Sequence, residues 1–387
     1  MLIQLKNAEF GKNEKTNIVI FLIENNILKK KSSKILILFL LFIIIFSKNK
    51  PKKNIDNNLN LKRNFTKPKI KLYSTKNSTK NKSNQYYVHL AVNMDNKYIY
   101  PFIVYLTSLL HNKANSTFYI IHVLTGNGII NSTFEKINRT IEAFGKYSSN
   151  VSYYNLGNQF NRAQTNNYIS IAAYYRISLP SLLPNVDKVI YTDTDIINFK
   201  DLSEMYNIEF KGKMYFCGTL DYIGHLEELR KLGIFTDKYM NTGVMLMNLK
   251  AMRNDSIEEK IRNFVYSHFL NHHEQTAINA VCYNNIQILS YKYASFAFSS
   301  KEKLNYFNNN QSKLYRYNES ELNQSFYDPT LLHFPGYVKP WEKKCSNMKR
   351  VYWWYYAKKS IYFQEILDYY GFMKEEIEEL LKNITKI

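Results

Sequence analysis

From Tyr86 onward, the sequence predicts an α/β fold with a single doubly wound, mainly parallel sheet flanked by helices. Short apolar segments alternate there with amphipathic helical segments, and this alternation is typical of a parallel sheet covered by helices on both faces. The chain has 387 residues, 45% hydrophobic and 16% aromatic, which is enough apolar material for one large domain or two ordinary ones. It has only three cysteines, so the fold cannot depend on a framework of disulfide bonds.

The first half of this region contains the clearest strand and helix patterns. The predicted strands are the short apolar runs 88–92, 117–124, 150–155 and 188–191. The predicted helices carry their apolar residues on one face; they begin at Pro101 and cover 131–144 and 169–179, with Pro180 ending the last. Ligands bind to sheets of this kind at the carboxyl ends of the strands.

The first 85 residues differ from the rest in charge and in apolar pattern. They contain 19 basic and 4 acidic residues, so they carry +15 of the net charge of +20. Residues 35–46 form an unbroken apolar run of 12 residues with lysines on both sides, and flanking lysines can lengthen the span that a short helix covers. We predict a short tail over 1–34, a transmembrane signal anchor over 35–47 and a basic, flexible stem over 48–85. A cleaved signal peptide and a segment that only touches the membrane surface remain alternatives.

The charge and sequon patterns bear on location and partners. All twelve Asn-x-Ser/Thr sequons follow the apolar run, which favours a single-pass membrane protein with a cytosolic N-terminus. Its body would lie in the Golgi or ER lumen of a eukaryote, or at the cytoplasmic membrane of a bacterium. Residues 86–387 contain 33 basic and 28 acidic residues, too even a balance to indicate nucleic acid binding. Residues 339–359 are basic and aromatic, which predicts either a membrane-facing surface or an aromatic core with a basic rim.

An acidic pair follows the fourth predicted strand. Asp193 and Asp195 come directly after this apolar strand, with one residue between them. Two carboxylates in this position can hold a hard divalent cation against a diphosphate. A solvated turn is the alternative for so short a motif.

The segment 188–197 (KVIYTDTDII) resembles the D-x-D strand of glycosyltransferase family 8, which comprises retaining enzymes with the GT-A fold. The resemblance extends from about residue 87 to residue 341, with further motifs in the family's order. These motifs are 90–98 (LAVNMDNKY), 169–179 (ISIAAYYRISL), 218–222 (GTLDY), 239–249 (YMNTGVMLMNL), 273–279 (HEQTAIN) and 333–341 (HFPGYVKPW). The resemblance implies a GT-A catalytic domain over 86–345, followed by a helical extension over 346–387.

The resemblance also implies a role for each matching residue. The residues implied to bind the donor nucleotide and its phosphates are Asp95, Tyr98, Arg176, Asp193, Thr194, Asp195, Gly243, Gly336 and Lys339. The residues implied to act at the reacting sugar are Asp221, Asn241, Gln275 and Lys339. The implied metal ligands are Asp193, Asp195 and His333. Two carboxylates and an imidazole suit Mn²⁺ or Mg²⁺.

The function implied by the resemblance is metal-dependent transfer of galactose or glucose from a UDP-hexose to a glycan, glycolipid or glycoprotein. The sequence departs from the family at Thr194, Glu274 and Thr276, where the family usually has alanine or isoleucine, aspartate and aspartate. Two other functions remain open: a nucleotidyltransferase, which would also use paired carboxylates, and an inactive protein that binds a nucleotide-sugar or glycan. His272 and His273 are expected to be ordinary helix residues rather than ligands, because no H-E-x-x-H motif follows.

Overall fold

The structure, a computed structural model, describes residues 85–145, 148–165, 170–382 and 384. The predicted tail, signal anchor and almost all of the stem lie outside these residues, so they stay predictions. Among the described residues, no helix has both the length and the apolar character needed to cross a bilayer.

Ten strands form two sheets in the described part of the chain. They are β1 (Tyr86–Asn93), β2 (Thr117–Thr125), β3 (Ser149–Asn155), β4 (Val189–Thr192), β5 (Ile196–Asn198), β6 (Phe216–Leu220), β7 (Met240–Met247), β8 (Ile286–Ile288), β9 (Ser295–Phe296) and β10 (Leu331–His333). Seven strands form the main sheet in the order β3-β2-β1-β4-β7-β6-β8, in which only β7 is antiparallel to its neighbours. The other three form a second sheet in the order β5-β10-β9. The prediction of a mainly parallel sheet is confirmed, but the prediction of a single sheet is wrong.

Thirteen α-helices accompany these strands in the same part of the chain. They are α1 (Ile99–His111), α2 (Asn131–Ala143), α3 (Leu179–Leu182), α4 (Ser203–Tyr206), α5 (Leu226–Lys231), α6 (Leu249–Asn254), α7 (Ile257–Ser267), α8 (His273–Cys282), α9 (Lys301–Asn309), α10 (Glu319–Tyr327), α11 (Arg350–Lys359), α12 (Phe363–Tyr370) and α13 (Lys374–Leu381). The predicted helix 169–179 is instead a 3₁₀ helix, Ile171–Ser178, that leads into α3. Pro180 does not end this helical stretch, because it lies in the first turn of α3, where its missing N–H costs no hydrogen bond.

The main sheet is covered on both faces. Strands β4, β6 and β7 are buried along their whole length, as expected for central strands covered on both sides. Ile190 belongs to an apolar cluster that includes residues of α1, whereas its neighbour Tyr191 belongs to a second cluster that includes residues of α7 and α8. Because successive side chains of a strand point to opposite faces, these clusters lie on the two sides of the sheet.

The aromatic residues of 339–359 form core and not a membrane-facing surface. Trp353 and Trp354 on α11 are 0% exposed, and their rings pack against Trp341 and Phe372 respectively. The indole N–H of Trp354 donates to the carbonyl of Pro340 at 3.2 Å. The alternative of an aromatic core is therefore correct, and α11 joins the C-terminal extension to the rest of the fold.

Lys349, just before α11, should make the stability of the fold depend on pH. Burial lowers the pKa of its ammonium group from 10.5 to about 8. Because the pKa of the folded state is the lower one, the charged lysine destabilises the fold below about pH 8, and this penalty disappears as the pH rises towards the unfolded pKa. We therefore expect the free energy of unfolding of the wild type to rise by about 2 kcal/mol relative to that of Lys349→Met between about pH 7 and pH 10. Urea denaturation across this range measures the difference, and a constant difference would contradict the assignment.

Candidate functional site

One edge of the main sheet collects the polar segments predicted from the sequence. The carboxyl ends of β1, β4 and β6 meet there with the amino end of β7 because β7 runs the other way. Asp95 follows β1, Asp193 follows β4, Asn241 lies at the start of β7 and Asp221 follows β6. With strands about 4.8 Å apart, these four positions extend over about 14 Å in the order of the strands.

A cavity of about 680 Å³ opens along this edge. All 13 residues that the sequence predicts for the site line this cavity. They are Asp95, Tyr98, Arg176, Asp193, Thr194, Asp195, Asp221, Asn241, Gly243, Gln275, His333, Gly336 and Lys339. The structure therefore places them in one site, although they come from segments far apart in the chain.

The second sheet brings the imidazole to the carboxylates. The acidic motif connects β4 of the main sheet to β5 of the second sheet, where β10 pairs antiparallel with β5 and sets His333 opposite Ile196. The N–H of Phe334 donates to the carbonyl of Asp195 at 3.0 Å, which continues this pairing into the motif. As a result, the ligand atoms of Asp193, Asp195 and His333 lie within 4.8 Å of one another.

These three side chains fit a divalent cation. Oδ1 of Asp195 is buried and lies 3.3 Å from Nε2 of His333 without forming a well-aligned hydrogen bond, and Nδ1 of His333 is buried with no hydrogen-bond partner among the described residues. A buried polar atom without a partner is costly, and a bound cation would remove that cost. Two carboxylates and an imidazole form a set of ligands that suits Mn²⁺ or Mg²⁺.

Arg176 holds the first carboxylate in place. It is buried, and its Nη2 donates to Oδ1 of Asp193 at 2.8 Å while its Nη1 donates to the carbonyl of Thr242 at 2.5 Å. The guanidinium also lies over the ring of Tyr191, 4.2 Å from the ring centre, and the Tyr191 hydroxyl donates to the same oxygen of Asp193 at 2.8 Å. In addition to lining the cavity, Arg176 therefore orients the acidic motif, a role that its motif alone did not indicate.

Lys339 forms an ion pair with the second carboxylate, Asp195. Its Nζ lies 2.5 Å from Oδ2 of Asp195 and donates to the carbonyl of Phe334 at 3.0 Å. Burial favours the protonated acid, but Lys339 and His333 outweigh burial and hold the pKa of the Asp195 carboxyl below its usual value. Asp195 is therefore ionised at neutral pH and available to bind a cation.

Gly243 and Gly336 occupy positions that favour glycine for different steric reasons. A Cβ atom at Gly243 would overlap Cε1 of His333 and would lie 2.9 Å from Oδ2 of Asp193. Only a residue without a side chain therefore lets β7 approach the candidate metal-binding cluster of Asp193, Asp195 and His333. Gly336 has a φ of +91°, a left-handed conformation that favours glycine, and it lies in the loop between His333 and Lys339.

The predicted sugar-binding residues form one hydrogen-bonded cluster. Oδ2 of Asp221 accepts hydrogen bonds from Nδ2 of Asn241 at 2.8 Å and from Nε2 of Gln275 at 3.0 Å. Oε1 of Gln275 accepts from the N–H of Thr242 at 3.0 Å. These bonds fix the orientation of all three side chains at the cavity wall.

The opposite end of the cavity carries the predicted nucleotide-binding residues. The Asp95 carboxylate accepts a hydrogen bond from the N–H of Lys97 at 2.9 Å and so caps the short 3₁₀ helix Asn96–Tyr98. The ring of Tyr98 meets Trp341 edge-on, with ring centres 6.0 Å apart. Thr194 is buried within the acidic motif and lines the cavity between the two ends.

Several residues of the cavity were not predicted from the sequence. Glu274 is buried beside Arg176, with Oε1 3.5 Å from Nη2, and burial raises the pKa of its carboxyl to about 7 although Arg176 opposes this change. His272, which directly precedes α8, lines the cavity as well. The departure of Glu274 from the family's aspartate was the only available signal, because the partners of both side chains are distant in the chain.

The fold and this site define a protein of the GT-A class, with an acidic motif that fits a divalent cation at the carboxyl edge of an α/β sheet. The family described as Glycosyl transferase family 8 matches residues 89–345. The chain belongs to this family.

The chain is similar to several curated proteins over part of their length. It is 28% identical to General stress protein A of Bacillus subtilis (strain 168) over 202 residues, which are 50% of this chain and 66% of the relative. It is 24% identical to Glycosyltransferase GlyF of Streptococcus pneumoniae serotype 4 over 267 residues, which are 68% of this chain and 59% of the relative. The chain thus spans less than two thirds of the length of these relatives.

Similar folds occur among solved structures. The galactosyltransferase LgtC, solved in complex with donor and acceptor sugar analogs, superposes with a TM-score of 0.61 at 19% identity, covering 71% of this chain and 96% of LgtC. Glycosyltransferase GlyE of Streptococcus pneumoniae TIGR4 gives a TM-score of 0.52 at 17% identity, covering 73% of this chain and 63% of GlyE. These likenesses establish the GT-A-like fold.

Proposed function

We propose that this protein is a metal-dependent, retaining hexosyltransferase that transfers glucose or galactose from a UDP-sugar to a glycan, glycolipid or glycoprotein. The observation that carries the proposal is the order of the groups along the sheet edge. Asp95 follows β1, the metal-binding cluster follows β4, and the cluster around Asn241 and Asp221 lies at β7 and β6. The parts of a nucleotide-sugar follow one another in the same order along the molecule: nucleoside, diphosphate, sugar.

The acidic motif and Lys339 act at the diphosphate in this proposal. Asp193, Asp195 and His333 would hold Mn²⁺ or Mg²⁺, which supplies positive charge to the leaving diphosphate. Lys339 is close to the same motif, and its ammonium adds a second positive charge as UDP departs. Gly336, in the loop between His333 and Lys339, adds no side chain of its own where the phosphates would lie.

The cluster around Asp221 acts at the sugar. Asp221, Asn241 and Gln275 fix one another by hydrogen bonds, so they present polar atoms in a defined arrangement to the hydroxyls of the hexose. Because these side chains are already in place before the substrate binds, the site needs little free energy to reorganise when the transition state forms. Gln275 is our candidate for the group closest to the anomeric carbon.

Release of UDP by the full chain tests the proposal. With UDP-glucose or UDP-galactose we expect release with Mn²⁺ or Mg²⁺ and at least about tenfold less after EDTA treatment, because the diphosphate would then leave without a cation. Asp193→Asn should abolish most of the release, whereas Asp328→Asn, at an exposed ion pair, should not change it.

Two outcomes would contradict the proposal. Release of pyrophosphate, together with incorporation of a nucleotide, would indicate a nucleotidyltransferase. Binding of UDP-sugar without any release of UDP in the presence of either metal would indicate a binding protein.

We further propose that residues 35–47 anchor the protein in a membrane by a single span. The support is the run of 12 apolar residues with lysines on both sides and the position of all twelve sequons after this run. The full chain should stay with the membrane fraction after alkaline extraction, and a variant that lacks residues 35–46 should not. Complete extraction of the full chain would refute the anchor.

A further inference from the structure

A carboxylate and an imidazole form a pair at the wall of the cavity. Glu228 of α5 is buried, and its Oε2 lies 2.7 Å from Nδ1 of His272, the residue before α8. The same carboxylate accepts hydrogen bonds from the hydroxyl of Thr276 at 2.7 Å and from the N–H of Asn271 at 2.5 Å. Glu228 is thus held by three donors from a segment more than 40 residues away in the chain.

These contacts determine which nitrogen of His272 can act as a hydrogen-bond acceptor. Burial favours the protonated form of Glu228, but the donors His272, Thr276 and Asn271 hold the pKa of this carboxyl below its usual value. An ionised carboxylate only accepts hydrogen bonds, so Nδ1 of His272 must carry the proton. In the neutral imidazole, Nε2 then has a free lone pair and can accept a hydrogen bond from a hydroxyl group.

The pair lies at the sugar end of the cavity. The strand order β1-β4-β7-β6 runs from Asp95 to Asp221, and the segment after Asp221 carries Tyr222 and His225. The ring centres of His225 and His272 are 3.9 Å apart, and Nδ1 of His225 lies 3.7 Å from Oδ1 of Asp221. His272 and its neighbours therefore border the sugar-binding cluster at the end of the cavity farthest from the proposed nucleoside position.

An aromatic ring completes this part of the wall. Tyr222 lines the cavity and is 47% exposed, while its ring contacts Phe296 and Phe307, with ring centres 5.8 and 5.3 Å away. A ring that is supported from behind and open in front offers an apolar face to a ligand. The apolar face of a pyranose ring can stack on such a surface, while its hydroxyls reach the polar groups beside it.

We propose that His272, positioned by Glu228, and Tyr222 form the subsite for the acceptor, which is a sugar residue. One of its hydroxyls donates a hydrogen bond to Nε2 of His272, and its ring lies on Tyr222. Glu228 is a positioning residue, because it acts only by fixing the proton and the orientation of His272. This inference rests on the proposed hexosyltransferase function and adds the chemical class of the acceptor and the residues that hold it.

Kinetics of the full chain test the subsite. The donor is whichever of UDP-glucose and UDP-galactose releases UDP, and the acceptor probes are the p-nitrophenyl glycosides of glucose, galactose, N-acetylglucosamine and N-acetylgalactosamine. His272→Asn keeps a polar atom near the position of Nδ1 but has none near Nε2. We expect this variant to raise the KM for the acceptor by a factor about tenfold larger than the factor for the donor. A difference of about tenfold is the size of effect expected for one lost hydrogen bond.

Matched variants separate this role from a structural one. His272→Gln has a polar group near the position of Nε2, so its KM for the acceptor should lie between those of the wild type and His272→Asn. Glu228→Gln should also raise the KM for the acceptor more than the KM for the donor, but by a smaller factor than His272→Asn does. His268→Asn, at an exposed histidine at the end of α7, should match the wild type. Equal changes in the two KM values, or no change, would overturn the subsite, while a wild type that releases no UDP from any donor would refute the proposed function itself.

A second measurement needs no acceptor. ¹⁵N NMR of histidine-labelled protein, about two pH units above the ordinary imidazole pKa of about 6.5, reports the tautomer of each ring. We expect His272 to have its proton on Nδ1 in the wild type and to lose this preference in Glu228→Gln. A proton on Nε2 of His272 in the wild type would overturn the inference whether or not any of the four glycosides is an acceptor.

Discussion

His333→Ala should lose nearly all metal-dependent release of UDP, by at least about 100-fold at limiting Mn²⁺. The imidazole is one of three side chains whose ligand atoms lie within 4.8 Å of one another, and without it two carboxylates would leave a dication poorly coordinated. Calorimetric titration with Mn²⁺ should show the loss of affinity directly. Asp195→Asn should behave alike, because it keeps the shape of the side chain but removes its charge.

His268→Ala is the control for the substitution of His333. His268→Ala removes an exposed imidazole outside the cavity and should leave metal affinity and turnover unchanged. Because His333 is buried on β10, thermal unfolding of His333→Ala and of the bulkier His333→Asn should accompany the assay. A folded variant with wild-type turnover at limiting Mn²⁺ would show that His333 is not a ligand and that its motif serves packing.

Gly243→Ala should damage the same site through sterics alone. A methyl group there would overlap Cε1 of His333 and crowd Oδ2 of Asp193 and Oδ1 of Asn241, at 2.9 and 3.0 Å. The strand cannot move away easily, because β7 is buried along its whole length between β4 and β6. We expect Mn²⁺ affinity to fall at least about tenfold and the free energy of unfolding to fall by about 1–3 kcal/mol.

Gly224→Ala is the matched control for this substitution. A Cβ at Gly224 would have no heavy atom within 4 Å, and this glycine does not need a positive φ. The same added methyl group should therefore leave Mn²⁺ binding and stability near wild-type values. If Gly243→Ala binds Mn²⁺ as tightly as the wild type does, the cluster is less compact than the structure describes.

Much of the site was predictable because its residues occur in short motifs. The acidic pair follows an apolar strand, and Asn241, Gly243, Gln275 and His333 each lie in a segment that resembles a family motif. The partners of these residues were not predictable. The ion pair between Arg176 and Asp193 and the bond between Glu228 and His272 depend on how separate segments meet, and no local pattern encodes that.

The alternation of strands and helices and the position of the acidic motif at a strand end follow from local sequence, because hydrophobic periodicity and short motifs act over a few residues. Three other features emerge only in the folded chain: β10 pairs with β5 and brings His333 to the motif, β7 runs antiparallel, and Trp353 is buried. These features depend on strand pairing and packing between residues far apart in the chain. Such contacts form where complementary surfaces meet, so the segments that take part in them carry no local signal of their partners.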